Sequence, residues 1–330
     1  MISIPRHLLP EDPEEIMNVL EDYFAFDRLP VWKAVDDQVQ VRLTPPPRGE
    51  FYVDPRLDEG LEWWGEGAGV EDIPDLKGTQ GSLRIGMNDA WTLWSWSLWL
   101  SDRARRSEPP TRVCVLHADD HEDLMSPRVI SGPEGMIDPI TGDSVILTDP
   151  ESVSRAITSG AIGMGSFIVP LLSHVPDLHV RHLRADGPEQ PPGPMIVGVE
   201  PDSLLRPGAD RLVARRDGSA GEGSYCRTAD ARSWAEVPED CSVLLHIDLD
   251  YFNNRYDGDS DWRNRSRQFD PPPGAVDELV DSMIEALEAS GAMSRVEDVF
   301  IGISPGFFPA ELWATTVGRL TAGLGQVGRR

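Results

Sequence analysis

Short apolar runs alternate with amphipathic segments along this chain of 330 residues. The runs at 113–116 and 243–245 consist of Val, Leu and one Cys, a composition typical of strands buried on both faces of a parallel sheet. Strands that alternate with helices favour an α/β fold with a mostly parallel central sheet. The pattern predicts strands at 39–43, 83–85, 112–118, 195–199, 242–249 and 299–303, and helices at 13–26, 150–159, 275–290 and 309–324.

The remaining segments are less regular. A Trp-rich helix carrying Trp91 to Trp99 is predicted after a cap at Asn88 or Asp89, and we expect it to be buried. The segment 161–172 fits a strand or a helix. Gly, Pro and acidic residues predict mostly loop at 44–82, a loop at 185–194 and a mobile surface loop at 216–224. We expect one domain over 1–330, with an N-terminal extension at 1–82 and a core at 83–330.

The composition limits the partners. A net charge of −26 disfavours nucleic acids and anionic membranes as partners and favours a cationic substrate, although the acidity alone also keeps a protein in solution. The three cysteines form no CxxC pair, which argues against a disulfide framework. The sequence shows neither a secretory signal nor an apolar run of membrane-spanning length. We therefore expect a cytoplasmic protein of undetermined oligomeric state.

Two clusters of carboxylates and imidazoles follow the two apolar runs. The first is His-Ala-Asp-Asp-His-Glu-Asp at 117–123, and the second is His-Ile-Asp-Leu-Asp at 246–250. Side chains alternate along a strand, so every second residue of each cluster would share one face. Crowded carboxylates repel one another unless a cation neutralises them. Oxygen ligands with imidazoles suit Mn²⁺, Zn²⁺ or Fe²⁺, and this many carboxylates allows a site for two ions.

Other interpretations of these segments are weaker. His117 and His246 lie deeper along the strands, so we expect them to orient a carboxylate or to pack in the core. The acidic run at 257–261 resembles the start of a calcium-binding loop, but Trp262 and Gln268 stand at the positions that require Gly and Glu. That run either attracts a basic peptide or is a solvated loop. No P-loop, GxGxxG or GxSxG motif occurs.

The two clusters resemble the DxHxD and SxDxD motifs of the arginase/deacetylase superfamily, with His246 in place of Ser. Two further blocks fit in order and spacing over about 83–315: the 86–90 block puts Asp89 where the family has a histidine, and the 305–311 block puts Glu311 where the family has a glutamate. The chain looks most like a divergent branch that includes the peptide arginases of ribosomal peptide biosynthesis. The family's SGNxHG loop has no clear counterpart; His174 is a distant candidate for its histidine.

The resemblance implies a three-layer arginase-like fold and two Mn²⁺ ions per chain. It implies metal ligands in the two clusters, namely Asp119, His121, Asp123, Asp248 and Asp250, and a further ligand, Asp89, in the 86–90 block. Asp119 and Asp248 would bridge the two ions, and a bridging hydroxide would attack the guanidinium carbon. Asp123 would pass a proton to the leaving amine, and Glu311 would bind the guanidinium. His246 is a further candidate for catalysis, and Asn253 for substrate binding.

The expected function is therefore manganese-dependent hydrolysis of an arginine guanidinium, most of all in an arginine-containing peptide, to give ornithine and urea. The alternatives are a small-molecule ureohydrolase, an amide deacetylase of the same fold, and a binding protein that holds metal without catalysis. A closed pocket would favour small substrates, and an open cleft would favour peptides.

Overall fold

The structure, a computed structural model, describes residues 1–24, 28–81, 83–133, 135–216, 223–265 and 270–325. The end of the predicted helix 13–26, most of the predicted loop 216–224 and Gln268 lie outside these ranges.

The strands of the described residues are short, as is usual in α/β proteins. In chain order they are β1 Ile2–Pro5, β2 Leu29–Val35, β3 Gln38–Thr44, β4 Lys77–Gln80, β5 Leu83–Gly86, β6 Val113–Ala118, β7 Ile130–Gly132, β8 Gly135–Ile137, β9 Ser144–Val145, β10 Leu178–Leu183, β11 Gln190–Pro194, β12 Ile196–Pro201, β13 Asp210–Arg215, β14 Ser224–Thr228, β15 Ser242–Asp248 and β16 Val296–Gly302. The α-helices are α1 Pro13–Tyr23, α2 Leu57–Trp64, α3 Trp91–Arg105, α4 Pro150–Ser159, α5 Ile168–His174, α6 Ala231–Trp234, α7 Ala275–Ala289 and α8 Trp313–Leu324.

Local sequence explains where several helices begin and end. The Asp149 carboxylate accepts a hydrogen bond from the Glu151 amide, Pro150 occupies the first turn of α4, and Gly160 ends the helix at φ 86°. Asp12 caps α1 in the same way. The cap of α3 differs from the predicted one at Asn88 or Asp89, because the N-cap residue is Ala90. The Asn88 side chain accepts a hydrogen bond from the Ala90 amide.

The central sheet has eight strands in the order β11-β14-β10-β6-β15-β16-β5-β4. The six inner strands are parallel, and β11 and β4 join the two edges antiparallel. The chain proceeds from β6 outward to β10 and β14, then returns to β15 beside β6 and proceeds outward in the other direction to β16. The order therefore reverses between β6 and β15, and ligand sites in open α/β sheets lie at such a point, outside the carboxyl ends of the strands.

Helices cover both faces of this sheet. Alternate residues of β6 point to opposite cores: Cys114 and Leu116 pack with α2, α6, α7 and α8, whereas Val113 and Val115 pack with α3, α4 and α5. The predicted α/β fold with a mostly parallel central sheet is confirmed. The predicted burial of the Trp-rich helix is also confirmed, because Trp91, Trp96 and Trp99 are buried.

Two smaller sheets flank the central one. Strands β1, β3 and β2 form an antiparallel sheet that packs with α1 around Ile4, Leu20 and Val41. Strands β12, β13, β7, β8 and β9 form the other. The sequence patterns did not predict most of these strands, because they are short or lie at an edge with mixed polarity.

The prediction that 44–82 is mostly loop is wrong. This segment contains α2, a 3₁₀ helix at Val70–Asp75 and β4. Leu57, Leu61 and Ile73 are buried in the central core, and their helical spacing was masked by the surrounding Gly and acidic residues. The predicted loop at 185–194 likewise includes the edge strand β11, and 161–172 resolves into α5 preceded by a turn.

Candidate metal centre

The two acidic clusters meet at the carboxyl ends of β6 and β15. The strands pair in parallel with His117 beside His246 and Ala118 beside Ile247, so the following residues converge on one edge. The predicted continuation of the strand alternation is wrong: β6 ends at Ala118, and the chain bends over 119–121 and is irregular at 122–123. Asp250 lies on a 3₁₀ helix, Leu249–Tyr251, that begins directly after β15. The carboxylates are therefore not brought together on one extended face.

Two groups of side chains have the composition and the spacing to hold metal ions. The first set consists of His117, Asp119, Asp123 and His246, and the second set consists of Asp119, His121 and Asp250. Within each set, one ligand atom of every residue lies within 4.8 Å of the others. Asp119 belongs to both sets, so its carboxylate is placed to bridge two ions. Buried His and Asp groups that can hold metal are therefore present, as the sequence predicted.

Several of these buried carboxylates have raised pKa values. Burial and the neighbouring Asp250 raise the pKa of Asp119 to about 7. Burial and like charges also hold the pKa values of Asp123 and Asp248 well above the usual range. The buried oxygens without a hydrogen-bond partner include Asp119 Oδ2 and Asp123 Oδ2. Asp119 and Asp123 belong to one candidate metal set, and buried carboxylate oxygens without a partner there fit a divalent cation.

His121 links the two clusters. Its Nδ1 lies 2.9 Å from Asp250 Oδ2 and 3.5 Å from Asp119 Oδ1, and its Nε2 lies 3.5 Å from Asp257 Oδ1. Although burial acts in the opposite direction, these three carboxylates raise the pKa of His121 above its ordinary value. A metal ion bound by His121 would have to displace the ring proton, so metal binding here would release a proton.

Three buried histidines lie side by side on neighbouring strands: His182 on β10, His117 on β6 and His246 on β15. The rings of His117 and His246 are stacked with centroids 5.0 Å apart, and those of His117 and His182 are 4.8 Å apart. His182 Nε2 lies 2.9 Å from the Asp119 carbonyl oxygen, and its Nδ1 lies 2.7 Å from the Tyr225 hydroxyl. Through the contact of His182 with the Asp119 carbonyl, these three histidines support the backbone of the first cluster.

Asp89 and Asp248 belong to neither set among the described residues. The Ser304 hydroxyl lies between them, 2.8 Å from Asp89 Oδ2 and 2.7 Å from Asp248 Oδ2. Burial would raise the pKa of Asp89, but the contacts with His246, Asp248 and Ser304 lower it. Both aspartates line the same cavity as His121 and Asp123, so the structure brings them to the centre, and their role as ligands stays a prediction.

Other residues predicted for catalysis or substrate binding lie elsewhere. Glu311 accepts a hydrogen bond of 2.7 Å from Arg255 and does not line the cavity, because a guanidinium of the protein itself already holds it. Asn253 is buried, and its amide faces Asp270 at 3.5 Å. His174 is exposed at the end of α5. The structure brings none of these three side chains into the cavity wall.

The cavity above the cluster has a volume of about 660 Å³. Carboxylates, His121 and Arg216 line part of it, and an apolar wall is formed by Phe51, Leu124, Met125, Met164 and Phe307. Five non-glycine residues of the described chain have positive φ, and three of them line this cavity: Asp123 at 51°, Asp257 at 51° and Ser304 at 50°. Such backbone is costly and concentrates at functional sites.

Sequence reasoning missed several parts of this site. His182 lies in an alternating run on β10 that resembles an ordinary half-buried strand. Ser304 and Phe307 lie just after β16. Their position after the end of a strand is the signal that could have found them. Phe51 comes from the segment predicted as loop, where nothing in the sequence indicated a site.

No protein-family model matches this chain, and no curated protein matches it either. Among the helices that the structure describes, none combines the length and the apolar character needed to cross a membrane.

Proposed function

We propose that this protein is a metal-dependent hydrolase of arginase-like architecture that cleaves the guanidinium group of arginine residues in a peptide, giving ornithine and urea. The observation that carries the proposal is the position of Asp119, which is shared by two candidate metal sets at the reversal point of a parallel sheet. A pair of Mn²⁺ ions is the cofactor that we propose, since the residues offer carboxylates with one or two imidazoles. Bound ions of this kind activate water as a nucleophile at neutral pH and polarise the substrate.

The protein's own residues have separable roles in this proposal. Asp119, His121 and Asp250 would hold one ion, and Asp119 and Asp123 would contribute to the other. Asp123 Oδ2 has no hydrogen-bond partner and its residue faces the cavity, so this oxygen is placed to accept a proton and return it to a leaving amine. The apolar wall excludes water from the reacting group and accommodates the aliphatic stem of an arginine.

The size of the cavity supports a peptide substrate. A volume of about 660 Å³ lies well within the range of pockets that take drug-sized ligands. This volume exceeds what one arginine side chain needs. Substrate atoms beyond the side chain would therefore be bound here.

An amide deacetylase is the second candidate, and the position of Glu311 favours it. Without that carboxylate in the cavity, the guanidinium loses the partner that the resemblance assigns to it. A deacetylase needs the same activated water and the same apolar wall but no carboxylate for a guanidinium.

The two candidates are separated by their products. The full chain would be loaded with Mn²⁺, analysed for metal content, and incubated with an arginine-containing peptide, free arginine and an acetyl-lysine peptide. Urea from the peptide at about two ions per chain supports the proposal. Acetate without urea supports the deacetylase, and bound metal without either product supports a non-catalytic metal-binding protein. A chain that binds no metal would contradict all three.

A further inference from the structure

We propose that Asp257 is the specificity-determining residue of this cavity, whose carboxylate binds the cationic end of the substrate side chain beside the metal centre. The inference rests on the proposed function for the identity of the reaction, but the binding it describes is measurable without turnover.

Among the described residues six carboxylates line the cavity, and their positions differ. Asp123 and Asp250 belong to the metal sets, and Asp89 and Asp248 are buried against Ser304. Glu122 is bound by two arginines, Arg216 and Arg227, and its side chain is 30% exposed. Asp257 also pairs with an arginine, but it belongs to neither metal set and its side chain is the more exposed, at 44%.

The position of Asp257 suits a cation that reacts at the metal centre. Its Oδ1 lies 3.5 Å from His121 Nε2, and the other nitrogen of that ring lies 2.9 Å from Asp250. A guanidinium that donates to Asp257 would thus lie next to the second metal set. An independent feature points into the same space: Asp123 is 7% exposed, and its Oδ2 lacks a hydrogen-bond partner.

The wall around Asp257 suits the stem of such a side chain. Gly258 follows at φ 61°, and a Cβ there would meet Phe51 at 3.2 Å and Phe307 at 3.4 Å. The loop is therefore packed directly against two aromatic rings that line the cavity. Aliphatic groups bind well against such rings while the charged end reaches a carboxylate.

Protein contacts orient Asp257 without saturating it. Asn254 Nδ2 donates to Oδ1 at 3.3 Å, and Arg265 Nη2 lies 3.2 Å from Oδ2. Together with His121 these are the polar contacts of the carboxylate within the part of the chain that the structure describes. An ionised carboxylate has about four lone-pair sites, so it accepts a further donor from the cavity side. Glu311, the alternative partner for a guanidinium, is held by Arg255 outside the cavity.

The test compares Asp257→Asn with Asp259→Asn in the metal-loaded full chain. Asn tolerates positive φ, so the first change removes charge and keeps the backbone. Asp259 pairs with the same Arg265 but does not line the cavity, so it is a matched control. Two peptides that differ only in arginine or citrulline, which is neutral and nearly isosteric, would be measured for binding by calorimetry and for hydrolysis.

We expect Asp257→Asn to raise KM and Kd for the arginine peptide about 10- to 100-fold, the loss typical of one charge-assisted hydrogen bond. Because Asp257 also contacts His121, both proteins would be assayed at saturating Mn²⁺ with equal metal content verified. Under those conditions kcat should change little, and binding of the citrulline peptide should not change. Unaltered Kd in Asp257→Asn, or an equal loss in Asp259→Asn, would overturn the inference. If the wild type releases no urea yet binds arginine over citrulline through Asp257, the proposed function fails and this inference stands. If the wild type does not prefer arginine at all, both fail.

Discussion

The Nδ1 atoms of His117 and His246 lie 2.8 Å apart between two stacked rings at the centre of the sheet. His117 Nε2 lies 3.0 Å from the carbonyl oxygen of His121, an acceptor, so this nitrogen must carry the proton. Its Nδ1 then accepts from His246. Both ring nitrogens of His117 thus have protein partners, and the ring supports the first cluster instead of binding an ion, although it lies in the first metal set.

Replacing His117 should therefore lower the stability of the protein and leave its metal content unchanged. We expect His117→Ala to lower the free energy of unfolding by about 3 kcal/mol, because it opens a buried cavity and leaves His246 and a carbonyl unpaired. Urea denaturation and metal analysis would measure both effects. The exposed His174→Ala is the control and should change neither. Loss of metal from a His117→Ala protein of normal stability would instead make His117 a ligand.

Asp119 and Asp120 are adjacent acids with opposite surroundings. Asp119 belongs to both metal sets, whereas Asp120 is held by Arg184 at 3.0 Å and by Asn254 at 2.9 Å. We expect Asp119→Ala to weaken binding of both ions by more than about 100-fold, since loss of a mere supporting partner already costs 10- to 100-fold. Turnover should disappear with the metal.

Asp120→Ala should retain metal and most activity, which would be checked by metal titration of the two proteins side by side. Equal metal affinity in both variants would rule out Asp119 as a bridging ligand.

The sequence predicted the acidic clusters and their meeting point, because both follow strands whose apolar runs are unambiguous. Parallel strands end at one edge, so Asp119, His121, Asp123 and Asp250 had to converge if β6 and β15 were neighbours. It did not predict how they converge, since the bend after Ala118 and the positive φ at Asp123 are not specified by any local residue pattern.

The cavity wall was harder to predict for a related reason. Phe51 reaches the site from a segment that is distant in sequence, through packing against Phe307 with ring centroids 5.4 Å apart. Glu311 was placed by spacing alone, and a competing ion pair with Arg255 decides where its side chain lies. Contacts between segments far apart in the chain have no signature in periodicity.

Gly302 makes room for Asp89. A Cβ at Gly302 would lie 1.6 Å from Asp89 Oδ1 and 2.7 Å from its Cγ, so the carboxylate would have to move away from Ser304 and His246. We expect Gly302→Ala to destabilise the protein by about 2 kcal/mol, as overpacking of a buried site does.

Gly318 in α8 is the matched control, because it is exposed and a Cβ there meets nothing within 4 Å. Gly318→Ala should stabilise the helix by up to about 1 kcal/mol. Thermal and chemical denaturation of both variants would show whether the free energy of unfolding falls in Gly302→Ala and rises in Gly318→Ala. A Gly302→Ala protein as stable as the wild type would show that Asp89 is free to move.

His182 predicts a dependence of stability on pH. Burial lowers its pKa from 6.5 in the unfolded chain to about 4 in the folded protein. Between these two values the unfolded state binds more protons, so the free energy of unfolding decreases as pH falls from 6.5 to 4 and levels off below.

His182→Gln keeps a donor for the Asp119 carbonyl and removes the titration. We expect the wild type to lose about 2 kcal/mol more than His182→Gln between pH 7 and pH 4.5, measured by urea unfolding with a chelator present throughout. The chelator removes the pH dependence of metal binding from both proteins, and the carboxylates titrate alike in both, so the difference isolates His182. Parallel stability curves for the two proteins would mean that His182 is protonated as readily in the folded state as in the unfolded one.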